Sequence, residues 1–375
     1  MPWLEATSMS LKREFVTLAD RGSISDLCRR FNISRKTGYK WWGRFKEDGL
    51  EGLKDLSRRP RYSPGKTEPG TVNAILKVRD HHPAWGGRKI RRRLLDLGFV
   101  EVPAASTITE ILRREGRLRA EEAKKHAPWQ RFEQRAPNDL WQIDFKGDFL
   151  IGQRRCYPLS MLDDHSRFAL LVEACGDQGT ETVRSRLVKA FECYGLPYRI
   201  LADNGSPWGG SERFTVLSIW LIRLGIDVCH SRVVHPQTVG KEERFNRTLQ
   251  AEAIGTRQFA DFDDCQRRFS LWRDVYNQER PHESLGLATP ASRYTISPRP
   301  YPCSLAPIEY GPQDVVRKVQ QKGEVSFRGQ EWPVGKGLRG YPVGIRPTLN
   351  DGVYDVYFCH QKVARINLRA PQDES

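Results

Sequence analysis

Residues 140–145, LWQIDF, are the stretch on which the fold turns. Leu140, Trp141, Ile143 and Phe145 make a short apolar strand, and Asp144 stands inside it. A carboxylate there is costly unless it is paired or bound to a cation. A second apolar stretch, YRILAD at 198–203, ends on Asp203 and opens a turn at Asn204-Gly205. As neighbouring strands, about 4.8 Å apart, the two would let both carboxylates share ions. A third acid has to come from elsewhere, and the helix expected after the turn HPQT (235–238) offers Glu242 and Glu243.

Outward from this stretch, strand-like and helical patterns alternate. LWQIDFKGDFLI (140–151), CYPLSMLDDHS (156–166) and RFALLVEACG (167–176) read as three consecutive strands. ETVRSRLVKAFECYG (181–195) reads as a helix, YRILADNG (198–205) as a strand and RFTVLSIWLIRLG (213–225) as a helix. IDVCHS (226–231) follows as a short strand and TVGKEERFNRTLQAEAI (238–254) as a helix. This order makes a mixed sheet flanked by helices.

Three acids brought together suit Mg²⁺ or Mn²⁺, which take oxygen ligands and keep positions for water and phosphate. Two such ions, about 3.5–4 Å apart, serve both ends of an in-line displacement at phosphorus. In such a site Asp144 bridges both ions, while Asp203 and Glu243 hold one each, and no protein nucleophile is needed.

The segments WQIDF, LDDHSRF, LADNGSPW, HPQTVGKEERFNRTL and YNQERPHESLGLATPASRY occur in order between residues 137 and 295. Together they resemble the integrase catalytic core of bacterial insertion-sequence DDE transposases and, more distantly, of retroviral integrases. The resemblance implies a ribonuclease-H-like fold, two Mg²⁺ or Mn²⁺ ions per site, and 3′-end cleavage followed by strand transfer. It also implies that Asp144, Asp203 and Glu243 are the catalytic and metal-binding triad. Glu243 is preferred to Glu242 because the family's G-K-x-E-R matches Gly240, Lys241, Glu243 and Arg244. Helical spacing agrees: Glu242 falls on the packing stripe of Phe245 and Leu249, and Glu243 lines up with Asn246, Arg247 and Gln250. One departure is the 39 residues (204–242) between the second and third acids, more than the family usually leaves. A short insertion around 208–214 is expected to hold the difference.

Other polar residues in these segments carry less. Asp163 and Asp164 fall at a strand-to-turn junction and read as structural or supporting. His235 either touches the scissile phosphate or closes a turn with Pro236. Lys241 and Arg247 are expected on the DNA backbone.

Ahead of the core lie two helical patterns. In residues 11–47, Leu11, Phe15 and Leu18 have helical spacing, Asp20-Arg21-Gly22 breaks it, and Ser23 and Ser34 stand where helix caps are needed. The third helix, 35–49, sets Arg35, Lys36, Thr37, Lys40 and Arg44 on a polar front, with Tyr39, Trp42 and Phe45 expected inward. That is the form of a DNA recognition helix. The segment LSRRPRYSPGK (56–66) is a basic linker, with Arg58, Arg59 and Arg61 suited to a minor groove. A second unit over 67–119 carries Arg88 and Lys89 beside the apolar stripe Ile90, Leu94 and Leu97, and Ser106 is its candidate third-helix cap. The domain plan is 1–55 helix-turn-helix, 56–66 linker, 67–119 second DNA-binding unit, 120–137 linker, 138–295 core and 296–375 a small β-barrel. The barrel is expected because the chain past Pro300 is strand-like and rich in Gly and Pro.

Charge supports a polyanionic partner. The chain of 375 residues carries a formal +15, and residues 1–136 hold 30 Lys/Arg against 17 Asp/Glu, which leaves the rest near neutral. The partner expected is double-stranded DNA, both terminal inverted repeats and target, bound by a dimer or higher oligomer. No apolar run is long enough for a transmembrane helix and no signal peptide is evident, so the expected setting is the bacterial cytoplasm, near the nucleoid. Eight scattered cysteines form no CxxC pair and suit a reducing compartment. Gly335-Lys336-Gly337-Leu338-Arg339-Gly340 fits GxGxxG, but no helix follows, so a dinucleotide site is not expected. Two other functions remain open on the sequence: a ribonuclease-H-like nuclease without strand transfer, and a DNA-binding regulator with an inactive core.

Overall fold

A computed structural model describes residues 8–55, 67–118, 133–203, 205–209, 214–230, 240–255 and 258–369. The chain divides into two compact units, residues 1–66 and 67–375. Among the described residues no helix is long and apolar enough to cross a membrane.

The first unit is trihelical: α1 (Ser8–Ala19), α2 (Ile24–Arg30) and α3 (Arg35–Asp48). Phe15, Val16, Leu27, Cys28 and Leu53 form its core. The Ser34 hydroxyl caps α3 by accepting from the Thr37 amide at 3.1 Å. Gly38 lets α2 and α3 approach, because a Cβ there would lie 2.3 Å from Cys28 Sγ. Tyr39, expected to pack inward, is 56 % exposed and shares the solvent face with Arg35, Lys36 and Lys40. The α2–α3 contact is made by a glycine, so an aromatic one residue on points away from it.

The second unit begins with α4 (Pro69–His81), α5 (Gly87–Asp96) and α6 (Ala105–Arg114), packed on Ile75, Trp85, Ile90, Leu94, Ile108 and Leu112. Ser106 does not cap α6; the helix starts one residue before it and Ala104 holds the cap position without a side-chain bond.

The mixed sheet follows, from β1 (Trp141–Phe145), β2 (Phe149–Ile151), β3 (Arg154–Asp163) and β4 (Ala169–Cys175), then α7 (Thr180–Tyr194) and β5 (Arg199–Ala202). It is completed by α8 (Val216–Arg223) and β6 (Asp227–His230), then α9 (Gly240–Leu249), which runs into a π-helical turn at 250–254, and α10 (Phe262–Gln278). The strand order is β2-β3-β1-β5-β6, with β4 also on β3. β1 is antiparallel to β3 and parallel to β5, and β5 is parallel to β6.

The period-2 alternation of β1 assigns its side chains to two faces. Trp141 and Ile143 face the cluster built with Leu187 and Phe191 of α7 and Leu217 and Leu221 of α8. Gln142 and Asp144 therefore face the other side, where α9 and α10 pack Phe245, Leu249, Phe269 and Trp272 over Leu162 and Val172. A single alternation thus places one carboxylate of the sheet under α9.

The C-terminal part is not a closed barrel. β7 (Val315–Lys318), β10 (Pro342–Pro347), β11 (Val353–Phe358) and β12 (Gln361–Asn367) form an open four-stranded sheet, and β8 (Glu324–Phe327) and β9 (Gln330–Pro333) a separate hairpin. Among the described residues β7 pairs only with β10 and β12 only with β11, so both edges stay open. The inner face packs instead onto the core cluster that holds α8. The Gln361 amide donates to Val228 O at 3.2 Å and accepts from Val228 N at 3.1 Å, pairing the edge of β6.

Candidate active site

β1 and β5 run parallel with Trp141 level with Ile200 and Gln142 level with Leu201. The same offset carried forward sets Asp144 level with Asp203, both at the C-terminal ends of their strands. The two charges feel each other. The Asp144 carboxyl is pushed up to about 6, first by burial and then by Asp203, against opposing hydrogen bonds from the Phe145 amide and Asn246. Asn246 Nδ2 donates to Asp144 Oδ2 at 3.0 Å. Asp203 is exposed and accepts from the Gly205 amide at 3.0 Å, closing an Asx turn. His230 Nδ1 lies 3.0 Å from Asp203 O.

The two candidate third acids on α9 sit differently. Glu243 is exposed and lies 3.8 Å from Arg247, one turn on. Glu242, its neighbour, is 3 % exposed and accepts from Ser160 Oγ at 2.9 Å. Burial raises its carboxyl well above the usual range, and Asp144 adds to the shift. Among the described residues, Glu242 Oε2 has no hydrogen-bond partner. The stripe Glu242, Phe245 and Leu249 is the buried one, as helical spacing implies. Among the described residues no three of His, Cys, Asp and Glu already stand close enough to hold a metal ion.

Oxygen-only donors and two mutually repelling carboxylates fit a hard divalent cation better than a soft one. Asp144 and Asp203 would hold it, with an acid from the first turn of α9.

The remaining predicted residues divide by placement. Asp163 accepts from the amides of Asn138 (2.7 Å) and Ser166 (2.8 Å), and Asp164 from the Gln134 amide (2.8 Å) and Gln142 Nε2 (2.6 Å). Lys241 points inward at Asp164, 2.6 Å away, rather than toward a free surface. Arg247 is exposed. On α3, Arg35, Lys36 and Lys40 are exposed, and Arg44, half-buried, lies 5.2 Å over the Trp41 ring. Thr37 Oγ1 is 2.9 Å from Ser34 Oγ at the start of that helix. On α5, Arg88 is exposed 3.7 Å from Glu283, whereas Lys89 is half-buried and its amine is pushed down to about 8, by burial first and then by Arg280. Arg58, Arg59, Arg61 and His235, and 210–213 of the expected insertion, lie outside the described residues. The sequence reading did not single out Ser160. It pairs directly across from Asp144.

Five family models match the chain. They are a helix-turn-helix domain over 12–61, a homeodomain-like domain over 37–112, integrase core domains over 134–236 and 224–290, and the IS481 family transposase C-terminal domain over 314–374. Similar curated proteins include the insertion element IS407 uncharacterized 31.7 kDa protein of Burkholderia multivorans, 27 % identical over 42 % of this chain and 55 % of that one. Another is the insertion element IS476 uncharacterized 39.2 kDa protein of Xanthomonas euvesicatoria, 31 % identical over 41 % of this chain and 44 % of that one. The chain spans about half the length of these curated relatives. Among solved structures, the HTLV-2 integrase catalytic core in complex with magnesium aligns over 43 % of this chain and 99 % of that one, at 15 % identity and a TM-score of 0.33. A simian T-cell lymphotropic virus intasome chain aligns over 78 % of this chain and 95 % of that one, at 12 % identity and a TM-score of 0.38. The chain thus carries, in order, helix-turn-helix domains, an integrase core and an IS481-family transposase C-terminal domain.

Proposed function

We propose that this chain is a DDE transposase that binds the terminal inverted repeats of its element, cleaves their 3′ ends and joins them to target DNA. The observation that carries the reading is the pair Asp144 and Asp203 at the adjoining ends of parallel strands, close enough for one charge to raise the other's carboxyl. Asp144, Asp203 and Glu243 are the proposed triad, Glu243 being assigned by the match of Gly240, Lys241 and Arg244 around it. Mg²⁺ or Mn²⁺ bound there would lower the pKa of the attacking water or 3′-hydroxyl and steady the leaving oxygen.

The protein's own part is positioning. The Asn246 amide holds one oxygen of Asp144, and the Gly205 amide holds one of Asp203. The Lys241–Asp164 pair ties the start of α9 to the turn after β3, so the acids of its first turn have a fixed origin. Arg35, Lys36 and Lys40 on the exposed face of α3 supply the phosphate grip. Two ends must be joined, so the working form on DNA is at least a dimer.

The test uses the full chain, Mg²⁺, a target plasmid and a duplex taken from the DNA flanking the gene, supplied with its 3′ end already cut. Joined product is expected. Metal-dependent nicking with no joining would support the nuclease instead, and binding with neither would leave a regulator.

A further inference from the structure

Glu242 is a puzzle in energetic terms. It sits on the packing stripe of α9 between Phe245, Leu249 and the sheet, where an apolar residue or an amide would cost less than a carboxyl. It is buried, one oxygen has no partner among the described residues, and Asp144 is near enough to oppose its ionisation. Such a group is destabilising by itself, so its surroundings should show what it does.

Those surroundings are ordered around Asp144. Ser160 of β3 is the direct cross-strand partner of Asp144 on β1, so both side chains rise from the same face. Above them, Glu242 and Asn246 are one turn apart on α9 and point the same way. Glu242 Oε1 takes the Ser160 hydroxyl at 2.9 Å, and Asn246 Nδ2 gives to Asp144 Oδ2 at 3.0 Å. Ser160 Oγ is also 3.3 Å from Asn246 Oδ1 and 3.4 Å from Asp144 O. Two residues of the helix thus clasp two paired residues of the sheet.

We propose that Glu242 is a positioning residue: through Ser160 it fastens α9 to β3 in the one register that lets Asn246 hold the Asp144 carboxylate. This deepens the metal-site reading above and rests on it. It also separates the two adjacent acids. Glu242 anchors the helix, and Glu243 is left for the cation.

The test is Mn²⁺ affinity of the full chain, measured by electron paramagnetic resonance, with thermal melting alongside. Asp144→Asn is the control and should lose binding. Glu242→Ala should weaken Mn²⁺ binding by roughly 10- to 100-fold, the usual cost of losing a group that orients a ligand. Glu242→Gln can still accept from Ser160, and should stay within about threefold of the wild type. Because the two groups act through one bond, Glu242→Ala combined with Ser160→Ala should bind no more weakly than Glu242→Ala alone. Glu242→Gln as damaging as Asp144→Asn would overturn the proposal by making Glu242 a ligand. So would additive losses, or variants that shift melting while Mn²⁺ affinity stays put. Undiminished binding in Asp144→Asn is a different failure, because it would remove the metal site itself.

Discussion

The two N-terminal helical units share a plan and spend their basic residues differently. In the first, α3 turns Arg35, Lys36, Tyr39 and Lys40 to solvent. In the second, α5 turns part of its charge onto the integrase core. Arg93 pairs with Glu279 at 2.5 Å, Arg88 approaches Glu283 at 3.7 Å, Lys89 is half-buried near Arg280, and Val275 of α10 packs against the unit's apolar core. Arg79 of α4 gives its guanidinium to the carbonyls of Trp85 and Arg117. Basic composition alone therefore does not mark a DNA surface. The first unit leaves Arg35, Lys36 and Lys40 exposed on one helix, whereas in the second Arg93 is engaged by Glu279 of the core.

That contrast can be broken experimentally. The largest effect should come from α3. Replacing Arg35, Lys36 and Lys40 together by alanine should lower affinity for duplex DNA at least tenfold and flatten its salt dependence by about 0.9 per lost phosphate contact, with little change in melting. Unchanged affinity and slope in a salt titration would remove α3 from the interface.

Lys89 should show the opposite signature. Its folded amine titrates near 8, below its ordinary value, so the unfolded chain holds the proton more tightly. Stability should rise as pH climbs from about 8 to about 10.5 and be lost as pH falls through 8. Lys89→Met should stabilise the chain at pH 7 by roughly 1–3 kcal/mol and flatten that rise, seen by thermal melting across pH. A destabilised Lys89→Met would show the amine to be better solvated than its burial implies.

Arg93→Ala comes next, costing about 1 kcal/mol, because the Glu279 pair is only partly shielded from water. DNA affinity should change less than for the α3 variant. Arg88→Ala should be smallest, within about 0.5 kcal/mol, since both partners are well exposed. A large loss of DNA binding from either would make α5 a second reading head and erase the contrast.

Much of this was legible in the sequence, for identifiable reasons. The alternation of LWQIDF put Asp144 opposite Trp141 and Ile143, and the turn signal Asn204-Gly205 put Asp203 at a strand end. Both follow from local pattern. Ser34 as a cap and the buried stripe of Glu242, Phe245 and Leu249 were likewise local. What escaped was set by tertiary partners. Lys241 and Lys89 looked like surface charge until Asp164 and the core met them. Tyr39 looked like a core aromatic because nothing in α3 showed that Gly38 would make the α2 contact. The closed barrel was inferred from strand and turn residues, but closure depends on which edges pair, and here β7 and β12 do not. The link from Glu242 to Ser160 spans 82 positions and has no signature in either segment alone.

The most direct test of the whole account is nicking of a duplex from the DNA flanking the gene, by the full chain and by Asp144→Asn, with Mg²⁺ and with EDTA. The account predicts nicks at the element's 3′ ends that need Mg²⁺ and fall at least a thousandfold in Asp144→Asn, while DNA binding persists. Wild-type nicking in EDTA, or an Asp144→Asn chain that nicks at the wild-type rate, would contradict it.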